Sequence, residues 1–191
     1  MHKSQFLKEF LRHPTATWAI TESSTELTEL ITDTADLSCA SVVMEFGSGT
    51  GVFTEKILEK SSGNTTTIVL EINPTFVEAT RKRCPQATVF HDSAVNAAHH
   101  LKRAGLHQCD RIICGLPWAG FSKSLQDQLL DTIMEVLTPG GKFLTFAYLH
   151  GLLLPSGRRF RRSLTTRFQK TEKTPIIWKN LPPAFVYCAE R

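Results

Sequence analysis

The chain has 191 residues, 41% of them hydrophobic, which is enough to bury one core, and no apolar run nears the roughly 18 residues needed to cross a bilayer. The polar start Met1-His2-Lys3-Ser4-Gln5 lacks the apolar stretch of a signal peptide, and the five cysteines (Cys39, Cys84, Cys109, Cys114, Cys188) form no C-x-x-C pair, so a cytoplasmic protein with neither disulfide framework nor metal site is expected. The net charge of +4 hides a gradient, −3 over residues 1–40, 0 over 41–150 and +7 over 151–191, and the C-terminal excess calls for an anionic neighbour, either phosphate backbone or membrane surface.

Taken in chain order, residues 5–12 are predicted to form a short amphipathic helix with Phe6, Leu7, Phe10 and Leu11 on one face. Residues 1–40 are expected to be an N-terminal helical lid, facing substrate or membrane, on a single domain spanning 1–191. Strands are predicted at 41–46, 66–71, 87–91, 111–115 and 142–148, and helices at 52–60, 74–83, 94–104 and 124–137. Thr138-Pro139-Gly140-Gly141 reads as a stop and turn before the fifth strand. Two further β-like pieces, 175–178 and 184–188, suggest an antiparallel closing hairpin. The expected fold is α/β, a doubly wound, mostly parallel seven-stranded sheet with its ligand crevice at the carboxyl ends of the strands.

Gly47, Gly49 and Gly51 sit between the first strand and the first crossover helix, where missing side chains let backbone approach a ligand. Glu71 closes the next strand and can accept two hydrogen bonds from ribose hydroxyls. The third glycine comes one residue too early for a dinucleotide loop, and Glu45 would repel a diphosphate. A cofactor bearing cationic ammonium and sulfonium groups suits the loop better.

The pattern Glu45-Phe46-Gly47-Ser48-Gly49-Thr50-Gly51 followed by Glu71 resembles the class I methyltransferase superfamily, Rossmann-like in fold, whose cofactor is S-adenosyl-L-methionine. The resemblance implies cofactor-binding roles for Glu45, Gly47, Gly49, Gly51 and Glu71, with Ser48, Ile72 and Ser93 beside them. It also implies an adenine contact for Asp92 after the third strand, where the residue would serve equally well as a helix cap.

Cys114-Gly115-Leu116-Pro117-Trp118 follows the fourth strand where base-modifying amino-methyltransferases carry Asn or Asp, then Pro-Pro and an aromatic. Gly115 removes the amide or carboxylate that would accept the base amino protons. With Phe10-Leu11-Arg12, Pro14, Ala19-Ile20, Ser23-Ser24, Phe146-Ala147-Tyr148 and Asn180-Leu181-Pro182-Pro183-Ala184-Phe185-Val186-Tyr187, the chain resembles the bacterial phospholipid N-methyltransferases, although Trp18 stands where glycine is usual and Glu22 where proline is usual.

That resemblance implies N-methylation of an amino phospholipid head group, with Gly115, Leu116, Pro117, Trp118 and Trp18 on the substrate side. Tyr148 and His150, at the end of the fifth strand, are candidates to orient the amine or relay its proton, and Trp118 to attract the methylated cation. Phe6, Phe10, Arg158, Arg159, Arg161 and Arg162 are expected to dock the protein reversibly on the anionic inner face of the membrane, with no obligate protein partner. Three alternatives stay open at this point: an RNA or DNA adenine amino-methyltransferase using the basic tail on phosphates, a small-molecule amine methyltransferase, and a protein that holds the cofactor without catalysis.

Overall fold

A computed structural model of the protein describes residues 25–191. The Phe6 to Leu11 stripe and Trp18 lie outside the described residues. Seven strands, β1 (Val42–Phe46), β2 (Thr66–Glu71), β3 (Thr88–His91), β4 (Cys109–Cys114), β5 (Leu137–Tyr148), β6 (Lys170–Lys173) and β7 (Ala184–Glu190), form one sheet in the order β3-β2-β1-β4-β5-β7-β6. The first five are parallel, and β7 runs antiparallel to both β5 and β6. The order reverses between β1 and β4, so the loops leaving their carboxyl ends part there and open the crevice expected of a doubly wound sheet.

Helices cover both faces, which is why the central strands read as continuous apolar runs. On one face lie α1 (Thr25–Ala35), α2 (Val52–Lys60) and α3 (Pro74–Arg83), with Leu27, Ile31 and Ile57 packed on Val43, Ile113 and Leu144. On the other lie α4 (Ala97–Arg103), α5 (Lys123–Val136) and α6 (Pro155–Arg167), whose Leu101, Ile133, Phe160 and Leu164 join Met44, Phe46, Ile112 and Phe143. Alternation along β1 sends Val43 and Glu45 to the first face and Met44 and Phe46 to the second. Of the stretch expected as a lid, residues 25–40 include α1, whose Leu27, Ile31 and Ala35 are fully buried against the sheet.

Local chemistry sets the helix starts. Asn73 caps α3, accepting from the Thr75 amide at 3.0 Å with Pro74 in the first turn, and Ser122 caps α5 by accepting from Leu125. The segment predicted as one helix over 94–104 divides into a 3-10 turn at Ala94–Asn96 and α4.

Two expectations need correction. Thr138-Pro139-Gly140-Gly141 does not break the chain before the fifth strand: β5 already begins at Leu137, with an irregular register against Cys109 and Arg111 that absorbs the Pro-Gly pair. Gly140 takes φ +75°, and the C-terminal Arg191 completes the ladder, its carbonyl accepting from the Gly140 amide and its amide donating to Gly141. On its outer edge the closing strand pairs with β6 rather than with 175–178, where proline lacks an amide and Ile177 makes one isolated bridge to Ala184. In α6, Gly157, Phe160 and Leu164 at spacings of three and four make a buried face among the arginines.

Candidate active site

Two clefts open at the carboxyl ends of the parallel strands, and Leu116 lines both. The first, of about 540 Å³, is bounded by Gly47, Glu71, Ile72 and Ser93 on one side and by Phe121, Leu125 and Leu129 on the other. Its floor is the glycine loop, where Gly47, Gly49 and Gly51 adopt φ of +77°, +54° and +83°. The Gly47 amide donates to Leu70 of β2 and the Gly115 amide to Phe46 of β1, both at 2.8 Å, and the second bond holds the loop after β4 against the end of β1. A Cβ on Gly115 would sit 2.6 Å from the Gly47 carbonyl oxygen, and one on Gly47 would meet the Leu116 side chain at 2.7 Å. Position 115 is therefore glycine for steric reasons, and an Asn or Asp has no room there.

Glu71, nearly buried, accepts from the Gly49 amide at 3.0 Å and from the Asn73 amide at 2.8 Å, which fixes its carboxylate at the cleft wall. Glu45 does not line the cleft. It is wholly buried beneath the loop, where Oε2 accepts from the Thr54 hydroxyl and Oε1 has no partner. Burial pushes its carboxyl up to about 8, against the Thr54 hydrogen bond and with added repulsion from Glu71. Ser48 turns away from the cleft to share a 2.9 Å hydrogen bond with Thr80 of α3, and Thr80 also donates to the Gly49 carbonyl. Gly51 packs against that same Thr80, where a Cβ would lie 3.2 Å from its Cα.

Asp92 is committed elsewhere. Its carboxylate accepts from the Ser93 amide (2.7 Å) and the Asn96 side chain (2.9 Å), and lies 2.7 Å from His100 Nε2. Burial alone would raise its pKa, but these contacts, His100 foremost, hold it below the ordinary carboxylate range. Ser93 is the cap of the 3-10 turn and borders the cleft. Asp92 is thus a local brace, and the cleft beside it is walled by Ile72, Ser93 and apolar neighbours.

The second cleft, of about 530 Å³, runs from Gly115 and Leu116 along Phe146, Ala147 and Tyr148 to Leu152, Phe160 and Tyr187. None of its lining residues is acidic. Pro117 and Trp118 form its wall, but the indole is not the open aromatic face that the sequence suggests. Trp118 is buried, stacks on Phe160 with centroids 4.2 Å apart, and donates from Nε1 to the Thr145 hydroxyl at 3.1 Å. Tyr148 is half-buried, its phenol pushed up by that burial, and its ring stacks on exposed His150 at 5.6 Å, so these two predicted partners do meet at the rim. Arg158, Arg161 and Arg162 are exposed on α6. Arg159 instead ties α6 to α5, donating to Gln126 and to the Phe121 carbonyl.

The profile of a family described as a methyltransferase domain matches residues 43–141. An ornithine lipid N-methyltransferase from Singulisphaera acidiphila is 30% identical over 185 residues, covering 95% of this chain and 92% of that protein. The chain belongs to the methyltransferase domain family. It is an S-adenosylmethionine-dependent methyltransferase. Among solved structures, an O-methyltransferase from Bacillus cereus in complex with S-adenosylhomocysteine superposes with a TM-score of 0.74 at 13% identity, over 100% of this chain and 93% of that one. A putative rRNA methylase from Clostridium thermocellum does so with 0.65 at 17%, over 90% and 97%. At such identities the likeness is one of fold.

The methyltransferase's own residues fit its cofactor. Glu71, held by two backbone amides, would present its carboxylate to ribose hydroxyls, and the glycine loop would let backbone approach the cofactor, whereas Glu45 lies beneath that loop, away from the cleft. Among the described residues no cluster of His, Cys, Asp or Glu has a metal-binding arrangement. Sequence reasoning missed Thr54, Thr80 and Thr145, each a hydroxyl on an otherwise buried face. Thr54 lies between Phe53 and Ile57 on α2, and that single polar interruption of an apolar stripe was its available signal.

Proposed function

We propose that this methyltransferase methylates the head-group amine of an amino lipid, a phospholipid or an ornithine lipid, at the inner surface of an anionic membrane. The observation that carries this is the second cleft: apolar, without a carboxylate, and reached at the end of the sheet where exposed Leu153, Trp178 and Leu181 stand clear of the core. The turn holding Trp178 and Leu181 joins the loop after β5 through the Leu149 amide, which donates to Pro183, and through the pairing of Tyr148 with Ala184. Across 149–167 and 174–183 there is no acidic residue, whereas Arg158, Arg161, Arg162 and Lys179 are all exposed. Apolar side chains flanked by cations suit an anionic bilayer surface, each cation near it contributing about 1 kcal/mol. Among the described residues no helix is long and apolar enough to cross a membrane.

The cofactor supplies an electrophilic methyl group on a positive sulfur, whose bond to carbon breaks as the new carbon–nitrogen bond forms. The protein's part is to position a neutral amine and carry away its proton. An alkylammonium has a pKa of roughly 10 and no lone pair, and a cleft without a carboxylate favours its neutral form. Tyr148, kept protonated by burial, orients the nitrogen by accepting from N–H, and His150 stacked beside it passes the proton outward. The product cation is drawn by the Tyr148 face. The bolted indole of Trp118 shapes the wall.

The nucleic-acid reading is disfavoured by the packing of Gly115, which excludes the amide or carboxylate that would grip a base amino group. Incubation with labelled cofactor, amino-lipid vesicles and RNA, followed by mass spectrometry, tests the proposal. Label on the lipid nitrogen is expected, and label on RNA alone would overturn it.

A further inference from the structure

Tyr187 stands on β7 opposite Thr145, walled by Phe160 and Phe185 at centroid distances of 6.1 and 4.9 Å. It is 3% exposed, and its hydroxyl oxygen is buried without a hydrogen-bond partner. A phenylalanine would fill the same space without leaving a buried hydroxyl unpaired, so the fold itself gains nothing from this oxygen. Tyr187 lines the inner end of the second cleft, with Leu152 and Phe160 close by. The other polar groups there are taken, since Trp118 Nε1 donates to Thr145, and the Thr145 hydroxyl donates to the Cys114 carbonyl at 2.9 Å.

We propose that the inner half of this cleft is an acyl subsite, in which the Tyr187 hydroxyl donates to the ester or amide carbonyl oxygen at the head of a lipid chain. A phosphate or carboxylate buried at that depth would need a cation, and none lines the cleft. A carbonyl is neutral, needs one donor, and leads into hydrocarbon that the Leu152 and Phe160 walls accept. Burial raises the Tyr187 phenol, with Arg161 opposing, so the group remains a donor at neutral pH. The amine then lies toward Leu116 and Tyr148, and the chain runs beneath α6. This subsite rests on the amino-lipid reading and adds the part of the lipid that is gripped.

The test is Tyr187→Phe in the full chain, assayed in detergent micelles. The acceptor is whichever acyl lipid the wild type methylates, diacyl phosphatidylethanolamine or an N-acylornithine, alongside its alkyl-linked analogue lacking the carbonyl. The variant should melt at the same or a higher temperature and bind S-adenosylhomocysteine unchanged. Its KM for the acyl lipid should rise roughly fivefold to tenfold, the effect of one neutral hydrogen bond, with kcat and the KM for the alkyl analogue unaltered. An acyl-to-alkyl KM ratio equal to the wild type's would overturn the subsite while leaving the proposed function standing. Failure of the wild type to methylate any lipid would overturn both.

Discussion

The two clefts meet at Leu116 yet are built from different materials. The cofactor cleft is shaped by backbone: three glycines at positive φ, amides that fix Glu71, and a β4 loop that Gly115 presses against Gly47. The other cleft is shaped by side chains from α6, β5 and β7 that double as core, with Trp118 and Phe160 stacked between them. Backbone geometry serves a ligand common to many methyltransferases, whereas a site made of core side chains can change acceptor only by repacking the domain.

Breaking the stack should have the largest effect. Trp118→Ala removes a buried indole and one hydrogen bond to the Thr145 hydroxyl, and should destabilise the protein by about 3–5 kcal/mol in denaturant melts. A variant that kept its stability and lost only methyl transfer would restore Trp118 to the open acceptor wall that the sequence suggested. Next comes the seam between the clefts. Gly115→Asn must displace the Gly47 carbonyl, and should cost on the order of a hundredfold in turnover with a clear drop in melting temperature. If it folded normally and gained transfer to RNA, the steric argument would be wrong.

On the cofactor side alone, Glu71→Ala should weaken S-adenosylhomocysteine binding by about 1–3 kcal/mol, measured by calorimetry, and leave the acceptor KM unchanged. A graded effect, small at any one pH step, belongs to Glu45. Its folded pKa, raised to about 8, lies above its unfolded value, so between about pH 4.5 and 8 the folded protein holds a proton that the unfolded chain has released. Stability should therefore fall across that window by up to about 1.4 kcal/mol per pH unit, and Glu45→Gln should flatten the slope. A slope unchanged by the substitution would assign the titration elsewhere.

The same difference in material explains what the sequence disclosed. Three glycines spaced two apart after a strand have few uses other than turning backbone and admitting a ligand, so Gly47, Gly49 and Gly51, with Glu71 at the next strand end, were legible, as were β2, α2 and α3 with their bounds. Asp92 was ambiguous because a carboxylate after a strand can cap, brace or bind, and the contacts that brace it, His100 eight residues on among them, carry no signature in the sequence. Tyr187 was read as part of a family motif but not as a site, since its meaning lies in a missing partner. The helix over 155–167 was hidden because its five arginines outweigh the spacing of Gly157, Phe160 and Leu164. Gly157 itself is needed there because a Cβ would run into the Gly151 carbonyl.

The central claim, methyl transfer to a lipid amine at an anionic surface, is tested most directly by the rate of labelled methyl incorporation into amino-lipid vesicles across a salt series. Because exposed charges are screened beyond about 8 Å at physiological ionic strength, incorporation should fall as salt rises, should grow with the anionic lipid fraction, and should lose both dependences when Arg158, Arg161 and Arg162 are neutralised. Incorporation into the lipid amine that ignored both salt and vesicle charge would contradict the account of the surface, and no incorporation into lipid at all would contradict the claim itself.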